Sequence, residues 1–397
     1  MKKLLNTLYV TNPNYYLRKE GRNISITEDS NRIARYPIHI LKQIVCFNYM
    51  GVSPDLMKMC MEENVAITFF TPYGKYCGRV IGASYGNIYT RKKQYKMQDS
   101  EESLDFVKNI IYAKAYNSRK VLIRGKLDNK DKVDVKRLEE VIEAIKLLML
   151  EIKNCENKDS VRGIEGIIAK GYFSVLDELI IKQREDFFFI DRSKRPPMDR
   201  FNALISFLYS LLTNNIAAAL EGVGIDSYAG FFHTDRPGRV SMALDIIEEM
   251  RAFLVDKFTL SMINLNRINK NHFEVKENGA TLLNEKGRQV VLENWNKREQ
   301  EEIYHPFLEE NIKIGLLPHV QALLLNSYLR GDIEAYPPFM IGGWNASVNY
   351  LRCRNSNASW QKKIKTGSKS LSWLWTKGTK LSVWIKYLSS RHGRNKE

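Results

Sequence analysis

The stretch F-F-H-T-D-R-P-G-R-V-S-M-A-L-D-I-I-E-E, residues 231–249, decides how the second half of the chain is interpreted. It begins as a loop that carries His233, turns at a Pro-Gly pair, and continues as a helix that carries Asp245 and Glu248. Because these two acids are three residues apart, a helix projects both carboxylates from one face. Two carboxylates and an imidazole form a mixed oxygen and nitrogen site of the kind that suits Mg²⁺ or Mn²⁺.

A helical wheel of the same stretch favours another interpretation. The apolar positions form one stripe, and Asp245, Glu248 and Glu249 lie roughly opposite it, as acids do on an ordinary solvated helix. The stripe consists of Ile246, Ile247, Met250, Phe253 and Leu254. On the wheel alone, the expectation for all three acids is a solvent-exposed face, and for Glu249 we keep that expectation.

A third carboxylate, Glu165, lies upstream at a position where a surface glutamate is not expected. On a wheel of the helix around R-G-I-E-G-I-I-A-K-G-Y-F, residues 162–173, Glu165 falls inside the apolar arc. A carboxylate there needs a cation, hydrogen bonds or a metal, because an uncompensated buried charge is strongly destabilising. A structural ion pair, for example with Arg162, and a metal site both meet that need. The flanking Gly163 and Gly166 would let a ligand approach closely.

The composition is that of a soluble protein with a buried core. The 397 residues are enough for two or three domains, and 44% hydrophobic and 27% charged residues are ordinary values for a globular chain. No apolar run is long enough for a signal peptide or a membrane span, and the five scattered cysteines show no metal-binding spacing. These features predict reduced thiols and a cytoplasmic protein with no membrane segment.

The net charge of +16 comes mostly from the C-terminal tail. Residues 342–397 contain 12 Lys and Arg and one acid, which gives +11, whereas the first 341 residues contain 49 basic and 44 acidic groups, which gives +5. Five of the six tryptophans also lie in this tail. The overall charge is therefore weak evidence that the main body binds nucleic acid.

The pattern along the chain predicts an α+β protein, with an N-terminal β-rich domain followed by a larger all-helical domain, which would be the catalytic domain if the candidate site residues above bind a metal. Residues 1–81 consist of short strands between turn signals, with one helix after a Ser-Pro pair. Residues 82–98 contain glycines and basic residues and are interpreted as a linker. Apolar residues recur at helical spacing over 99–340, whereas residues 341–397 lack periodicity and are not interpreted as a domain.

Other catalytic motifs are missing from the sequence or have a simpler interpretation. There is no G-x-x-x-x-G-K-[ST] and no G-x-S-x-G, which argues against a P-loop NTPase and a nucleophile-elbow hydrolase. The glycines of G-V-G-I-D-S, residues 222–227, follow a helix and are interpreted as its cap. The five other histidines lack an acidic partner at ligand spacing or lie in the tail, and are interpreted as core or surface residues: His39, His272, His305, His319 and His392.

Four segments taken together resemble the CRISPR-associated integrase family known as Cas-one, in the variety found in type I-C systems. They are R-G-I-E-G-I-I-A-K-G-Y-F, F-N-A-L-I-S-F-L-Y-S-L-L, G-F-F-H-T-D-R-P-G-R-V-S-M-A-L-D-I-I-E-E-M-R and E-A-Y-P-P-F, and the resemblance covers about residues 1–340. It implies a metal-dependent DNA endonuclease and integrase of antiviral defence, with Mg²⁺ or Mn²⁺ as the cofactor.

The resemblance also implies the site residues, position by position. Glu165, His233 and Glu248 fall on the family's three metal ligands, and Asp245 falls on its supporting acid. Some members have aspartate where Glu248 stands, and both side chains are hard oxygen ligands. The implied catalytic residues are therefore these four, of which the first three would hold the ion.

The reaction and partners that the resemblance implies are those of CRISPR adaptation. A DNA 3′-hydroxyl attacks the repeat and exchanges one phosphodiester for another, which needs no ATP. The implied partners are double-stranded prespacer and CRISPR-repeat DNA, a second copy of the chain in a homodimer, and a Cas-two dimer that bridges two such homodimers. The basic segments Arg91–Lys96 and Arg192–Arg200 are candidates for phosphate contacts, although each is also compatible with a solvated loop.

The tail from about residue 341 is interpreted as out-of-frame read-through. The family normally ends just after Y-P-P-F, residues 336–339, and the tail is rich in Ser, Lys and Trp and almost free of acids. Codons that permit W-T-K-G-T-K-L-S-V-W, read one nucleotide later, permit Y-G-Q-R-V-Q-N-S-V-F, a string that resembles the Cas-two protein. The hypothesis is that translation continues into the partner gene after a lost stop codon or a frameshift.

Two alternatives to the integrase remain open from the sequence. The first is a helical nucleic-acid-binding protein without catalysis, in which the acids are surface and ion-pair residues. The second is an inactive member of the same family whose basic tail disturbs assembly. Substitution of Glu165 separates catalysis from mere binding.

Overall fold

The computed structural model describes residues 6–12, 14–47, 51–63, 65–71, 76–82, 88–193 and 196–342. These described residues belong to one compact unit. The read-through hypothesis falls almost entirely outside the described residues, because these end at Gly342. It therefore stays a prediction.

The N-terminal part is strand-rich, as the sequence predicts. Its elements are β1 (Asn6–Val10), β2 (Tyr16–Glu20), β3 (Asn23–Glu28), β4 (Asn31–Pro37), β5 (Leu41–Cys46), α1 (Pro54–Glu62), β6 (Ala66–Phe70) and β7 (Tyr76–Val80). One sheet has the order β1-β5-β6-β7, in which β5 pairs parallel with β1 and β6, and β7 pairs antiparallel with β6. The second sheet is the antiparallel meander β2-β3-β4. A shared apolar core joins the sheets to α1, and it includes Leu17, Ile24, Ile44, Leu56 and Ile67.

Helix α1 begins where its sequence signal predicts. Ser53 is the N-cap, and its hydroxyl oxygen accepts a hydrogen bond of 3.2 Å from the backbone N–H of Leu56. Pro54 occupies the first turn, where its missing N–H costs no intrahelical hydrogen bond. Leu56, Met59 and Cys60 then form the buried face of the helix.

From residue 88 onward the chain is mainly helical. The helices are α2 (Ile88–Gln98), α3 (Glu102–Asp128), α4 (Val135–Asn154), α5 (Lys158–Ser174), α6 (Arg200–Gly222), α7 (Ser241–Ile247), α8 (Lys257–Asn264), α9 (Glu285–Gln300) and α10 (Leu317–Arg330). A π-helical segment, Arg251–Asp256, leads into α8. Helices α3, α4 and α5 pack against one another, and α6 packs against α7 and α10. The α+β class is thus confirmed.

Two short hairpins correct the expectation of an all-helical second part. Strand β8 (Phe273–Val275) pairs with β9 (Thr281–Leu283), and β10 (Glu302–His305) pairs with β11 (Glu310–Lys313), both antiparallel. The turn of the first hairpin contains Asn278-Gly279, and Gly279 has a φ of +78°, a conformation that glycine adopts without strain. This Asn-Gly pair between short apolar runs was the sequence signal for the hairpin.

Helix α2 corrects the predicted linker over residues 82–98. Residues 88–98 form a helix, and Thr90, Gln94 and Met97 are buried. The side-chain amide of Gln94 donates hydrogen bonds of 2.8 Å to the backbone carbonyls of Asp226 and Ala229. The basic residues that suggested a linker therefore lie on a helix, and this helix contacts the loop that leads to His233.

The strand-rich and helical parts contact each other through polar and aromatic pairs. The guanidinium of Arg79 in β7 forms an ion pair with Glu221 at the end of α6. The hydroxyl of Tyr9 in β1 donates a 3.2 Å hydrogen bond to Glu299 in α9. These contacts join the two parts within the compact unit.

Helix α6 is long and strongly apolar. Among the described residues it is the one helix that could cross a membrane by length and composition. Most of it is buried inside the protein, as expected for a core helix.

Candidate metal centre

Two glutamates far apart in the sequence meet at one lysine. Lys114 in α3 forms an ion pair with Oε1 of Glu165 in α5, and its Nζ lies 2.7 Å from Oε2 of Glu248, just after α7. The side chains of Lys114 and Glu165 are 14% and 21% exposed, and that of Glu248 is 4% exposed. The burial expected for Glu165 is therefore balanced by Lys114, and not by Arg162, whose guanidinium pairs with Asp159.

His233 lies between two of the predicted acids. Its Nδ1 is 2.7 Å from Oδ1 of Asp245, and its Nε2 is 3.8 Å from Oε1 of Glu248. Because a carboxylate accepts hydrogen bonds, the proton of a neutral imidazole lies on Nδ1, and the Nε2 lone pair faces Glu248. This is the orientation that a carboxylate gives to a metal-binding histidine.

Asp245 also holds the loop that carries His233. Its side chain accepts hydrogen bonds from the backbone N–H groups of Phe231, Phe232 and His233, at 2.6, 3.0 and 2.9 Å. The side chain is fully buried, so these three donors replace the water that the carboxylate lacks. One residue of α7 therefore determines both the path of the loop and the direction of the imidazole.

Arg251 completes the charge balance around Glu248. Its guanidinium lies 3.1 Å from Oε1 of Glu248 and 5.0 Å from the ring centre of Tyr209. Burial by itself raises the pKa of Glu248, but the charges of Arg251 and Lys114 outweigh it and lower that pKa to about 2. Glu248 is consequently ionised at neutral pH, which is the form of a carboxylate that binds metal ions.

The solvated acidic face expected from the helical wheel is wrong for all three acids. Asp245, Glu248 and Glu249 are 0%, 3% and 0% exposed. The wheel assumes one helix with one solvent face, whereas α7 is short, continues into a π-helical segment, and is packed on several sides by α3 and α6.

Glu249 has a structural environment of its own behind the centre. It accepts hydrogen bonds from the hydroxyl of Tyr336 at 2.8 Å, from the side-chain amide of Gln321 at 2.9 Å and from the backbone N–H of Phe339 at 2.6 Å. Burial raises the pKa of Glu249 to about 8, although these hydrogen bonds oppose the rise. Glu249, the residue that follows Glu248 in the chain, thus holds the Y-P-P-F segment, residues 336–339, in place.

Lys114 and Arg251 were missed in the sequence, although one of them left a signal. Lys114 lies between Ala113 and Ala115 in an apolar run of α3, and both alanines are fully buried. A lysine among buried neighbours needs an anionic partner for the same reason that Glu165 needs a cationic one. The sequence signal was therefore a lysine in one apolar helical run and a glutamate in another, which could have been paired with each other.

The basic residues proposed for phosphate contacts already have protein partners in part. The guanidinium of Arg192 donates to the side chains of Asn202 at 2.7 Å and Ser206 at 3.1 Å. Arg200 donates to the carbonyl of Asp186 at 2.7 Å. These two side chains are engaged in holding the loop before α6.

The donor set fits a hard divalent ion in its chemistry. It offers two carboxylates and the imidazole nitrogen Nε2 of His233, and Oε2 of Glu248 is a buried atom that accepts no hydrogen bond from the described residues. Lys114 forms an ion pair with this oxygen, but its orientation does not meet the geometry of a hydrogen bond. As arranged here, no three His, Cys, Asp or Glu side chains of the described chain surround a common point closely enough to bind a metal. The Lys114 ammonium stands between the two glutamates.

The fold and the centre define a class of protein. Solved structures with a similar fold include a CAS1 protein from Thermotoga maritima, with a TM-score of 0.69, 22% identity and coverage of 82% of this chain and 97% of that one. They also include a casposase bound to integration product, with a TM-score of 0.70, 20% identity and coverage of 93% and 99%. The fold is therefore that of Cas1-like proteins.

The sequence comparisons place the chain within one family. The family model for CRISPR associated protein Cas1 matches residues 8–297. A CRISPR-associated endonuclease Cas1 from Chlorobaculum tepidum is 41% identical over 341 residues, which are 86% of this chain and 99% of that protein. A second, from Rhodospirillum rubrum, is 41% identical over 343 residues, with coverage of 85% and 99%. The chain belongs to the Cas1 family.

Proposed function

We propose that this chain is a metal-dependent DNA endonuclease and integrase that inserts new spacer DNA into a CRISPR array. The observation that carries the proposal is that Glu165 and Glu248, from separate segments, share the Lys114 ammonium, while Nε2 of His233 lies 3.8 Å from Oε1 of Glu248. Membership of a family whose members are named CRISPR-associated endonucleases supports it.

In this proposal, each side chain of the centre has a defined task. Glu165, Glu248 and Nε2 of His233 would hold Mg²⁺ or Mn²⁺. Asp245 keeps the proton of His233 on Nδ1 and so leaves Nε2 free for the ion. Arg251 fixes Glu248 in its ionised form. The bound ion supplies Lewis-acid activation of a DNA 3′-hydroxyl and offsets the charge that develops on the attacked phosphate.

The reaction is a transesterification at phosphorus. One phosphodiester bond of the repeat breaks as a new one forms to the 3′-hydroxyl of the incoming fragment, and the leaving oxygen takes a proton. Because one ester replaces another, no nucleotide hydrolysis is needed, in keeping with a sequence that has no P-loop motif.

The proposed partners are double-stranded prespacer and repeat DNA, a second copy of this chain, and a Cas2 dimer that bridges two such homodimers. Similar folds occur in a solved Cas6-RT-Cas1–Cas2 complex, with a TM-score of 0.69, and in the casposase bound to integration product. These likenesses support the proposal. We further propose that the protein works in the cytoplasm, away from membranes.

A strand-transfer assay tests the proposed function. Purified protein, Cas2, Mn²⁺ and a repeat-containing plasmid are incubated with a labelled DNA fragment, and joined product is quantified. Glu165→Gln keeps the size of the side chain and removes its charge, so product should fall by about a hundredfold or more. Glu140→Gln is the matched control, because Glu140 is an exposed glutamate on α4.

Three outcomes of this assay would count against the proposal. Undiminished joining by the Glu165→Gln variant removes the catalytic role of the centre. DNA binding without any joining by the wild-type chain supports a non-catalytic nucleic-acid-binding protein. Joining that appears only after removal of the tail supports a family member that its C-terminal segment keeps inactive.

A further inference from the structure

Lys114 occupies an unusual place for a lysine. Its ammonium is the cation that both Glu165 and Glu248 approach, and its side chain is only 14% exposed. A divalent ion held by these glutamates would need the same oxygen atoms that now face the ammonium. The lysine and the ion therefore compete for one position.

The positive charge of Lys114 reduces the electrostatic repulsion between Glu165 and Glu248. Two carboxylates that converge at a partly buried point repel each other, and a partly buried site screens that repulsion less than bulk water does. A +1 charge between them offsets part of that repulsion in the metal-free protein. A divalent ion in the same position would offset more of it.

The two cations beside Glu248 are not equivalent. Arg251 lies 3.1 Å from Oε1 of Glu248 and packs against the ring of Tyr209, which holds it to the side of the carboxylate. Lys114 faces Oε2 and also pairs with Glu165, so it lies on the inner side of both acids. A lysine also has a flexible four-carbon stem and is better suited to withdraw than a stacked arginine.

We propose that Lys114 is a built-in counter-cation that keeps the metal site assembled while no metal is bound and leaves the two glutamates when the ion enters. The proposal rests on the proposed function in taking Glu165 and Glu248 as metal ligands. It assigns to Lys114 a positioning role that ends on metal binding.

This role has a signature that a merely structural lysine would lack. Replacing Lys114 by methionine keeps a similar length and removes the charge. The metal-free protein then suffers the repulsion between the glutamates and becomes less stable. The ion meets no competitor and binds more tightly. If Lys114 were merely structural, its replacement would destabilise the metal-loaded and the metal-free protein alike.

The experiment uses the full chain and Mn²⁺ as the probe. Mn²⁺ affinity is measured by isothermal titration calorimetry, and Tm is measured with chelator and at saturating Mn²⁺. The Lys114→Met variant should bind Mn²⁺ about tenfold or more tightly than wild type. Its Tm should be lower than that of wild type in chelator and equal to it at saturating Mn²⁺. Lys120→Met is the matched control, because Lys120 lies on the same helix over the ring of Tyr116 and should change neither quantity appreciably.

A Glu165→Gln variant separates failure of this proposal from failure of the proposed function. If it binds Mn²⁺ as wild type does, the ligand assignment itself is wrong. If it loses Mn²⁺ binding while Lys114→Met binds no more tightly than wild type, only the counter-cation role is wrong. A Tm deficit of Lys114→Met that persists at saturating Mn²⁺ also overturns it, because Lys114 then stays in place when the ion binds. In the double variant Lys114→Met with Glu165→Gln, the Tm deficit in chelator should largely disappear.

Discussion

Asp245 and His233 are joined twice, because Oδ1 of the aspartate accepts from both the backbone N–H and the ring Nδ1 of the histidine, at 2.9 and 2.7 Å. Asp245→Asn keeps the shape but places an NH₂ group where a second acceptor oxygen stood. We expect Mn²⁺ affinity to fall by about 10- to 100-fold. Unfolding free energy should fall by about 1–3 kcal/mol, since one or more backbone donors lose their acceptor. Calorimetry and chemical denaturation measure the two effects, and unchanged Mn²⁺ binding would refute the orienting role.

The loop that carries His233 passes very close to the start of α7. A Cβ on Gly230 would lie 2.7 Å from the Cβ of Ser241 and 2.8 Å from its backbone carbon. Gly230→Ala should therefore displace the loop, lower stability by about 1–3 kcal/mol and weaken Mn²⁺ binding. Gly222→Ala is the control, because a Cβ there meets open space. Tight Mn²⁺ binding by the Gly230→Ala variant would show that the loop tolerates the shift.

The segment after α10 is part of the fold, so a C-terminal truncation that removes it should destabilise the protein. The side chain of Asn117 donates to the carbonyl of Phe339 at 2.9 Å and accepts from the N–H of Ile341 at 3.0 Å. A chain that ends after Gly342 keeps these bonds, so its Tm should match that of the full chain. A chain that ends after Asp332 lacks the Tyr336 hydroxyl and the Phe339 N–H, two of the three donors to the Glu249 side chain, and should unfold at a much lower temperature.

The tail itself should affect DNA affinity more than stability. Residues 342–397 carry a net charge of +11, obtained from 12 basic residues and one acid. Removing them should weaken nonspecific DNA binding and reduce its salt dependence, because fewer phosphate counterions are released. Binding titrations at several salt concentrations measure the change, and equal salt slopes with and without the tail would contradict it.

A buried carboxyl between the two parts of the fold should make stability depend on pH. Burial raises the pKa of Glu299 from 4.5 to about 7, although hydrogen bonds from Tyr9 and Trp295 oppose the rise. Since the folded state holds this proton more tightly, its contribution is complete below the unfolded pKa and is lost as pH rises through about 7. The contribution amounts to about 3 kcal/mol.

The test compares stability at about pH 5 and pH 8 by chemical denaturation. Glu299→Gln should reduce the loss of stability over this range, whereas Glu293→Gln, an exposed glutamate on the same helix, should not. An unchanged pH dependence in the Glu299→Gln variant would mean that this carboxyl is ionised in the folded protein.

Local sequence signals predicted the parts of the fold that local interactions determine. The Ser53-Pro54 start of α1 is one example, because a cap needs only neighbouring residues. The burial of Glu165 was anticipated because its neighbours on the helix are apolar. Its partner Lys114 was not, since a helical wheel says nothing about which helix lies opposite.

The acids after His233 show the limit of such reasoning most clearly. Their wheel predicted solvent, yet Asp245 and Glu249 are fully buried. Asp245 is satisfied by N–H donors of the preceding loop, and Glu249 by donors that include the distant Y-P-P-F segment. Burial of a short central helix depends on every element packed around it, and periodicity within the helix does not contain that information.

The most direct test of the proposed centre is a diffraction experiment on crystals of the protein grown with Mn²⁺. The account predicts one anomalous peak within about 2.3 Å of Nε2 of His233 and of carboxylate oxygens from Glu165 and Glu248, with the Lys114 ammonium withdrawn from between them. An anomalous peak elsewhere, or none at millimolar Mn²⁺ with Lys114 still bridging the two glutamates, would contradict it.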